Sequence, residues 1–140
     1  MNNKIKIGYV GSGPISHFHI PALQKAGFKI ETLYSRKNSK RLLEISKSFK
    51  LVNPETDLES FISNSIKKKV TAFVIAIKTE ATSKMIKVLS KTGKLILSEK
   101  PGSINYKDLL KIKKHRSKIF FAYNRRFYDS IAFAKKFVKN

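Results

Sequence analysis

The chain has 140 residues with 30 Lys+Arg against 9 Asp+Glu, a formal net charge of +21, and 41% hydrophobic content. That length fits one domain of about 100–150 residues, and the apolar fraction is enough for a core, so global disorder is excluded despite the charge. The absence of cysteine excludes disulfides, thiolate metal sites and thiol nucleophiles; the three histidines are too few and scattered for a metal cluster, so no metal site is expected. No apolar run reaches the ~18–20 residues of a membrane span, and the polar lead Met1-Asn2-Asn3-Lys4 lacks the features of a signal peptide. The expected location is cytoplasmic.

In chain order, residues 4–10 alternate Lys4 and Lys6 with Ile5 and Ile7, turn apolar and stop at Gly11, which predicts a strand. Residues 14–26 predict a helix opened by Pro14 and closed by Gly27. A second strand is predicted over 28–35, a helix over 38–49 and a short third strand over 50–52 before Pro54. The helix over 57–66 has Asp57 as its candidate N-cap. Residues 70–77 form a near-continuous apolar run, as in a strand buried on both faces. A helix over 79–92, a strand over 94–98, a helix over 106–116, a strand over 118–123 and a helix over 126–139 complete the chain. Six strands alternating with six helices predict a Rossmann-type doubly wound α/β fold, a mainly parallel sheet with helices on both faces.

The first strand runs into Gly11-Ser12-Gly13-Pro14-Ile15-Ser16, a G-x-G-x-x-S variant of the dinucleotide fingerprint. Gly11 permits the tight turn. Gly13 keeps a Cβ out of the path of a pyrophosphate. Ser16 stands where helix–strand packing needs a short side chain, and the helix start, with Pro14 and Ile15, presents its positive dipole end to phosphate. An ordinary Gly-rich turn is the structural alternative. The second predicted strand ends Tyr34-Ser35-Arg36-Lys37, without the carboxylate that takes the ribose 2′-OH in NAD sites. Ser35 and Arg36, followed by Lys40 and Arg41, therefore predict NADP, with NAD as the alternative.

The basic residues comprise 25 lysines and only 5 arginines, with short clusters at Lys67-Lys68-Lys69, Lys111–Arg116 and Lys135-Lys136. Nucleic-acid readers lean on the bidentate fork of arginine. Solvated helix faces are therefore the favoured reading over a polyanion surface, and nucleic acid is the less favoured partner.

Three segments together resemble the glucose–fructose oxidoreductase/inositol dehydrogenase (Gfo/Idh/MocA) family: residues 7–16 with His19 and Pro21-Ala22-Leu23; Gly93 to Pro101, with Glu99-Lys100-Pro101; and Tyr123-Asn124-Arg125-Arg126-Phe127. The resemblance implies an NAD(P)-binding Rossmann domain supporting hydride transfer at a sugar or polyol carbon. It implies that Lys100 reaches the nicotinamide and the substrate hydroxyl as the catalytic residue, where an ammonium stabilises developing negative charge. It further implies that Glu99 orients Lys100 or pairs with Arg126, that the Lys100–Pro101 bond is often cis, that Arg126 positions the cofactor or Glu99, and that His19 is scaffolding rather than a base. His17 and His115 read as surface residues.

The loop Ile77-Lys78-Thr79-Glu80 departs from the family pattern, with Thr82 about where a histidine is usual, yet Thr79 is placed to cap the helix and face a cofactor ribose. Tyr128-Asp129 replaces the expected proline. Residues 1–125 are expected to form the binding domain and 126–140 a helix leading toward a substrate domain that the sequence does not contain. The isolated chain is then incomplete for turnover and works with a complementary C-terminal domain or oligomer partner. A non-catalytic dinucleotide-binding module and a basic nucleic-acid-binding Rossmann-like protein are the alternatives.

Overall fold

In the computed structural model the described residues are 5–37, 39–51, 54–112 and 117–138. Five parallel strands form the sheet: β1 (Lys6–Val10), β2 (Lys29–Tyr34), β3 (Ala72–Ile75), β4 (Leu95–Ser98) and β5 (Ile119–Phe121), in the spatial order β2-β1-β3-β4-β5. The helices are α1 (Ser16–Lys25), α2 (Arg41–Ser48), α3 (Leu58–Lys67), α4 (Thr79–Ser90), α5 (Tyr106–Ile112) and α6 (Asp129–Val138), with a 3-10 turn over Asn124–Phe127. Among the described residues no helix is long and apolar enough to cross a membrane. Parallel neighbours require crossover connections, and the chain returns through a helical segment after each of the first four strands.

Side chains alternate along each strand, so β1 and β3 serve two separate clusters. Ile7, Tyr9, Val74 and Ala76 pack with Ile20 of α1 and with Leu42 and Ile45 of α2. Val10, Phe73 and Ile75 pack with Phe61 of α3, Ile86 and Leu89 of α4, and Ile112 of α5. The buried hydroxyls of Thr32 and Ser65, 2.7 Å apart, tie β2 to α3. Asp57 caps α3 as expected, accepting the Ser60 amide at 2.8 Å, and that hydrogen bond holds its carboxyl below the usual range.

Among the described residues the sheet has five strands, not six. The segment expected as the third strand is consumed by the end of α2: Lys50 adopts φ 51° and the Leu51 amide turns back to the Ser46 carbonyl at 2.8 Å. Val52 lies outside the described residues. In place of a strand there is one parallel bridge from Glu55 to Tyr34, made by Glu55 N–H to Leu33 O and Ser35 N–H to Glu55 O. Pro54 immediately upstream has no N–H with which to lengthen it. The predicted terminal helix is split into the 3-10 turn and α6. The surface reading of His115 also falls outside the described residues.

Register decides where the loops emerge. Val10 is opposite Tyr34 and Ile75, Ile75 is opposite Ser98, and Ser98 is opposite Phe121. All five strands thus end level, and the segments beginning at Gly11, Ser35, Ala76, Glu99 and Ala122 leave from one edge. In open parallel sheets, ligands bind at this carboxyl edge, where the strand order reverses, here between β1 and β3.

Candidate functional site: a cleft at the carboxyl edge

A cleft of about 1610 Å³ opens at that reversal point. One wall is Gly11 to Ile15, the second is Tyr34 to Lys37, and the third is Ala76 to Lys78 with α4. The two glycines answer to different demands. Gly11 has φ +129°, and a Cβ on it would collide with the Ala76 carbonyl oxygen, so the fold itself requires glycine there. Gly13 has no protein atom within 4 Å of where a Cβ would stand. The protein leaves that space open to the cleft.

The loop also leaves donors unspent. Among the described residues, the amides of Gly13 and Ile15 have no protein acceptor, whereas the Ser16 amide is used by the Gly13 carbonyl at 3.0 Å. Unspent amides beside the start of a ten-residue helix suit an anion such as a diphosphate. Ser16 itself is buried and turned away from the cleft, and its hydroxyl accepts from Tyr9 OH at 3.2 Å. Burial pushes the Tyr9 phenol up to about 12, against the lowering effect of the Ser16 hydrogen bond. Ser16 therefore does a packing residue's work, and α1 starts at Ser16 rather than at Pro14.

At the end of β2, Ser35 Oγ lies 2.7 Å from Ser12 Oγ, and Ser12 also meets the Ser39 hydroxyl just before α2. Ser12 and Ser39 are cleft residues that sequence reasoning passed over. Ser12 was legible as the variable position of the glycine loop, but its partners lie 23 and 27 residues away. Arg36, Lys37, Lys40 and Arg41 line the cleft on the side of this hydroxyl cluster, and Lys78 from the loop before α4 and Lys84 of α4 line it as well. Glu80 is the one acid among the lining residues.

The cleft thus brings together Gly11, Gly13, Pro14, Ile15, Ser35 and Arg36 from the predicted set. Ser16, Thr79, Glu99, Lys100 and Arg126 are not among its walls. Thr79 is the first residue of α4, and it is Thr82 whose hydroxyl donates to the Lys78 carbonyl, at 3.0 Å. Glu99 and Lys100 follow β4 at the same sheet edge, and the Lys100–Pro101 bond is cis.

Of the two expectations for Glu99, the contact to Lys100 is present at its main-chain amide and the pairing with Arg126 is not. Glu99 Oε1 lies 2.9 Å from His19 Nε2, and its Oε2 accepts the Lys100 main-chain amide at 3.3 Å. Arg126 instead donates to the Tyr123 carbonyl at 3.2 Å and lies over the Tyr123 ring. The 3-10 turn folds Arg126 back on its own segment, while α1 carries His19 to Glu99. His17 is exposed, its ring edge-on to Phe49.

Residues 5–121 match the model of an oxidoreductase family with an NAD-binding Rossmann fold, Gfo/Idh/MocA. No curated protein matches the chain. Among solved structures, the WlbA dehydrogenase of Bordetella pertussis, in complex with NADH and UDP-GlcNAcA, is 20% identical, with a TM-score of 0.83 over 98% of this chain and 42% of that one. Myo-inositol 2-dehydrogenase of Lactobacillus plantarum is also 20% identical, with a TM-score of 0.83 over 99% of this chain and 42% of that one. The chain thus spans about two fifths of those proteins' length. With the family model covering most of its residues and the glycine-loop cleft at the sheet's reversal point, the chain belongs to the Gfo/Idh/MocA oxidoreductase family through its NAD-binding Rossmann fold.

Proposed function

We propose that this chain is the cofactor-binding half of an oxidoreductase acting on a sugar or polyol, and that it takes NADP(H) in preference to NAD(H). One observation carries the cofactor choice: the end of β2 presents Ser35 and Arg36 in a hydroxyl cluster, with Lys37, Lys40 and Arg41 beside it and no carboxylate among these residues. A 2′-phosphate would find hydroxyl donors and cationic partners there, whereas residues 35–37 and 39–41 offer a 2′-OH no carboxylate of their own. Gly11 and Gly13 shape the approach to the diphosphate, Pro14 and Ile15 open the helix toward it, and Ser16 fixes that helix to β1. The doubly wound arrangement, α1 and α2 over one sheet face and α3, α4 and α5 over the other, is supported by the division into two clusters.

When bound, the cofactor supplies the redox chemistry. Lys100 is the proposed catalytic residue, an exposed ammonium at the carboxyl edge of β4 that would hold the reacting oxygen. Glu99 acts through its bond to the Lys100 amide. Thr79 and Arg126 complete the cofactor side of the proposal. Residues 1–125 form the binding domain, and 126–140 lead toward a substrate domain. What supports that division is the apolar surface near its boundary: register neighbours Leu97 and Phe120 are exposed, as are Phe133 and Phe137 of α6. The sugar or polyol class rests on the family and on the sugar-nucleotide and inositol dehydrogenases that share the fold.

Fluorescence titration with NADPH and NADH tests the cofactor choice. NADPH should bind more tightly, and Arg36→Ala should lower its affinity about tenfold, the ~1.4 kcal/mol of one charge-assisted contact, while leaving NADH unchanged. Equal affinities with an inert Arg36→Ala variant would defeat it. Oxidation of a sugar or polyol should appear on adding a complementary C-terminal domain.

A further inference from the structure

Six of the 25 lysines, from separate parts of the sequence, are brought to one edge by the topology. In a parallel sheet with return helices, the amino ends of strands and the carboxyl ends of helices share one edge, opposite the cleft. Here Lys6 and Lys29 open β1 and β2 and are register partners. Lys68 and Lys69 follow α3, just before β3, and Lys94 and Lys118 directly precede β4 and β5. Backbone hydrogen bonds join the row from strand to strand: Lys29 N–H to Ile5 O, Thr71 N–H to Lys6 O, Leu95 N–H to Thr71 O, and Ile96 N–H to Lys118 O. Five strands at about 4.8 Å spacing make a cationic edge about 19 Å long.

The row is organised as well as dense. Glu31, with a side chain only 10% exposed, draws the Lys29 ammonium to 2.9 Å and that of Lys6 to 3.6 Å. Lys6 Nζ also donates to the Lys68 carbonyl, and Lys68 Nζ to the Glu31 carbonyl, each at 3.1 Å. Two ammoniums are held on one carboxylate and a third on the same residue's main-chain carbonyl, so positive charge remains in excess at a fixed place. Ordinary solvated helix faces would scatter this charge around the molecule.

We propose that this amino edge of the sheet is a binding surface for the phosphodiester backbone of nucleic acid. Lysine is a point charge that meets phosphate without the bidentate fork that reads bases, and none of the row residues is aromatic, so nothing there stacks on a base. Binding is therefore sequence-blind and electrostatic. It is independent of the dinucleotide cleft, which opens on the opposite edge.

The test is fluorescence anisotropy of the full chain with a labelled 20-mer oligothymidylate. With about four phosphates contacted, affinity should fall about 50-fold between 50 and 200 mM salt. The triple variant Lys29→Gln/Lys94→Gln/Lys118→Gln should lose at least about tenfold at 50 mM salt and show a shallower salt slope. The triple variant Lys107→Gln/Lys135→Gln/Lys136→Gln makes the same change in net charge away from the row and should stay within about twofold of the parent. NADPH binding, measured on the same variants, should be unchanged, so loss of the cleft and loss of the edge are read separately. Absence of binding at 50 mM salt, equal loss in the two triple variants, displacement of the oligonucleotide by NADPH, or equal binding to poly-glutamate of matched charge would each overturn the proposal.

Discussion

His19 Nε2 and Glu99 Oε1 lie 2.9 Å apart, each side chain 24% exposed, and the contact joins α1 to the segment leaving β4. His19 Nδ1 is buried without a partner. The pair clamps the glycine-loop helix to the Glu99-Lys100-Pro101 turn across the carboxyl edge of the sheet.

His19→Ala removes that clamp and leaves a partly buried carboxylate without its donor. The expected cost is about 1.5–3 kcal/mol, the range for a hydrogen bond to a charged group, read as a lower urea midpoint. If the midpoint stays with the parent's, the contact holds nothing.

The two loop glycines should separate stability from binding. Gly11→Ala brings a Cβ against the Ala76 carbonyl at φ +129° and should unfold the chain or cut its stability severely. Gly13→Ala meets no protein atom, so its stability should stay within about 1 kcal/mol of the parent's while NADPH affinity falls. Circular-dichroism melts with parallel titrations check both, and a Gly13→Ala variant that binds like the parent would remove the diphosphate from this loop.

Glu31 carries a pH signature. Burial alone would raise its carboxyl, but the Lys29 and Lys6 ammoniums outweigh that and hold it below the usual glutamate range. The native state therefore releases this proton more readily than the unfolded chain. The stabilisation is present above the ordinary glutamate value, about 4.3, and is lost as pH falls through the lower native one. The stability gap between the parent and Glu31→Gln, measured by urea melts, should accordingly be widest near pH 7 and close toward pH 3.

Asp57→Ala removes the acceptor for the Ser60 amide at the start of α3. With its N-cap lost, α3 is less stable and the urea midpoint should fall. Asp57→Asn, which keeps an acceptor oxygen, should recover most of the loss in the same denaturation experiment.

Local order was legible where a short stretch carries its own physics. The strand–glycine-loop–helix unit at the start of the chain, the Asp57 cap and the apolar run that became β3 each depend on neighbours a few residues away. Side-chain period, capping chemistry and the steric freedom of glycine act at that range. The third predicted strand failed because the end of α2 claimed Lys50 and Leu51 and because Pro54 shortened what followed to one bridge.

Everything that couples distant segments was settled by tertiary structure. Glu99 met His19 rather than Arg126, because crossovers set α1 over the end of β4 while the 3-10 turn folded Arg126 onto Tyr123. Ser12, Ser35 and Ser39 became one hydroxyl cluster because β1 and β2 end level. Lysines far apart in the chain became one edge because parallel strands all start on the same side. The sequence alone determined the alternating α/β order and the phosphate-ready loop, since these are encoded over a few bonds. Partners across the sheet depend on register and crossover placement, which exist only once the whole chain has packed.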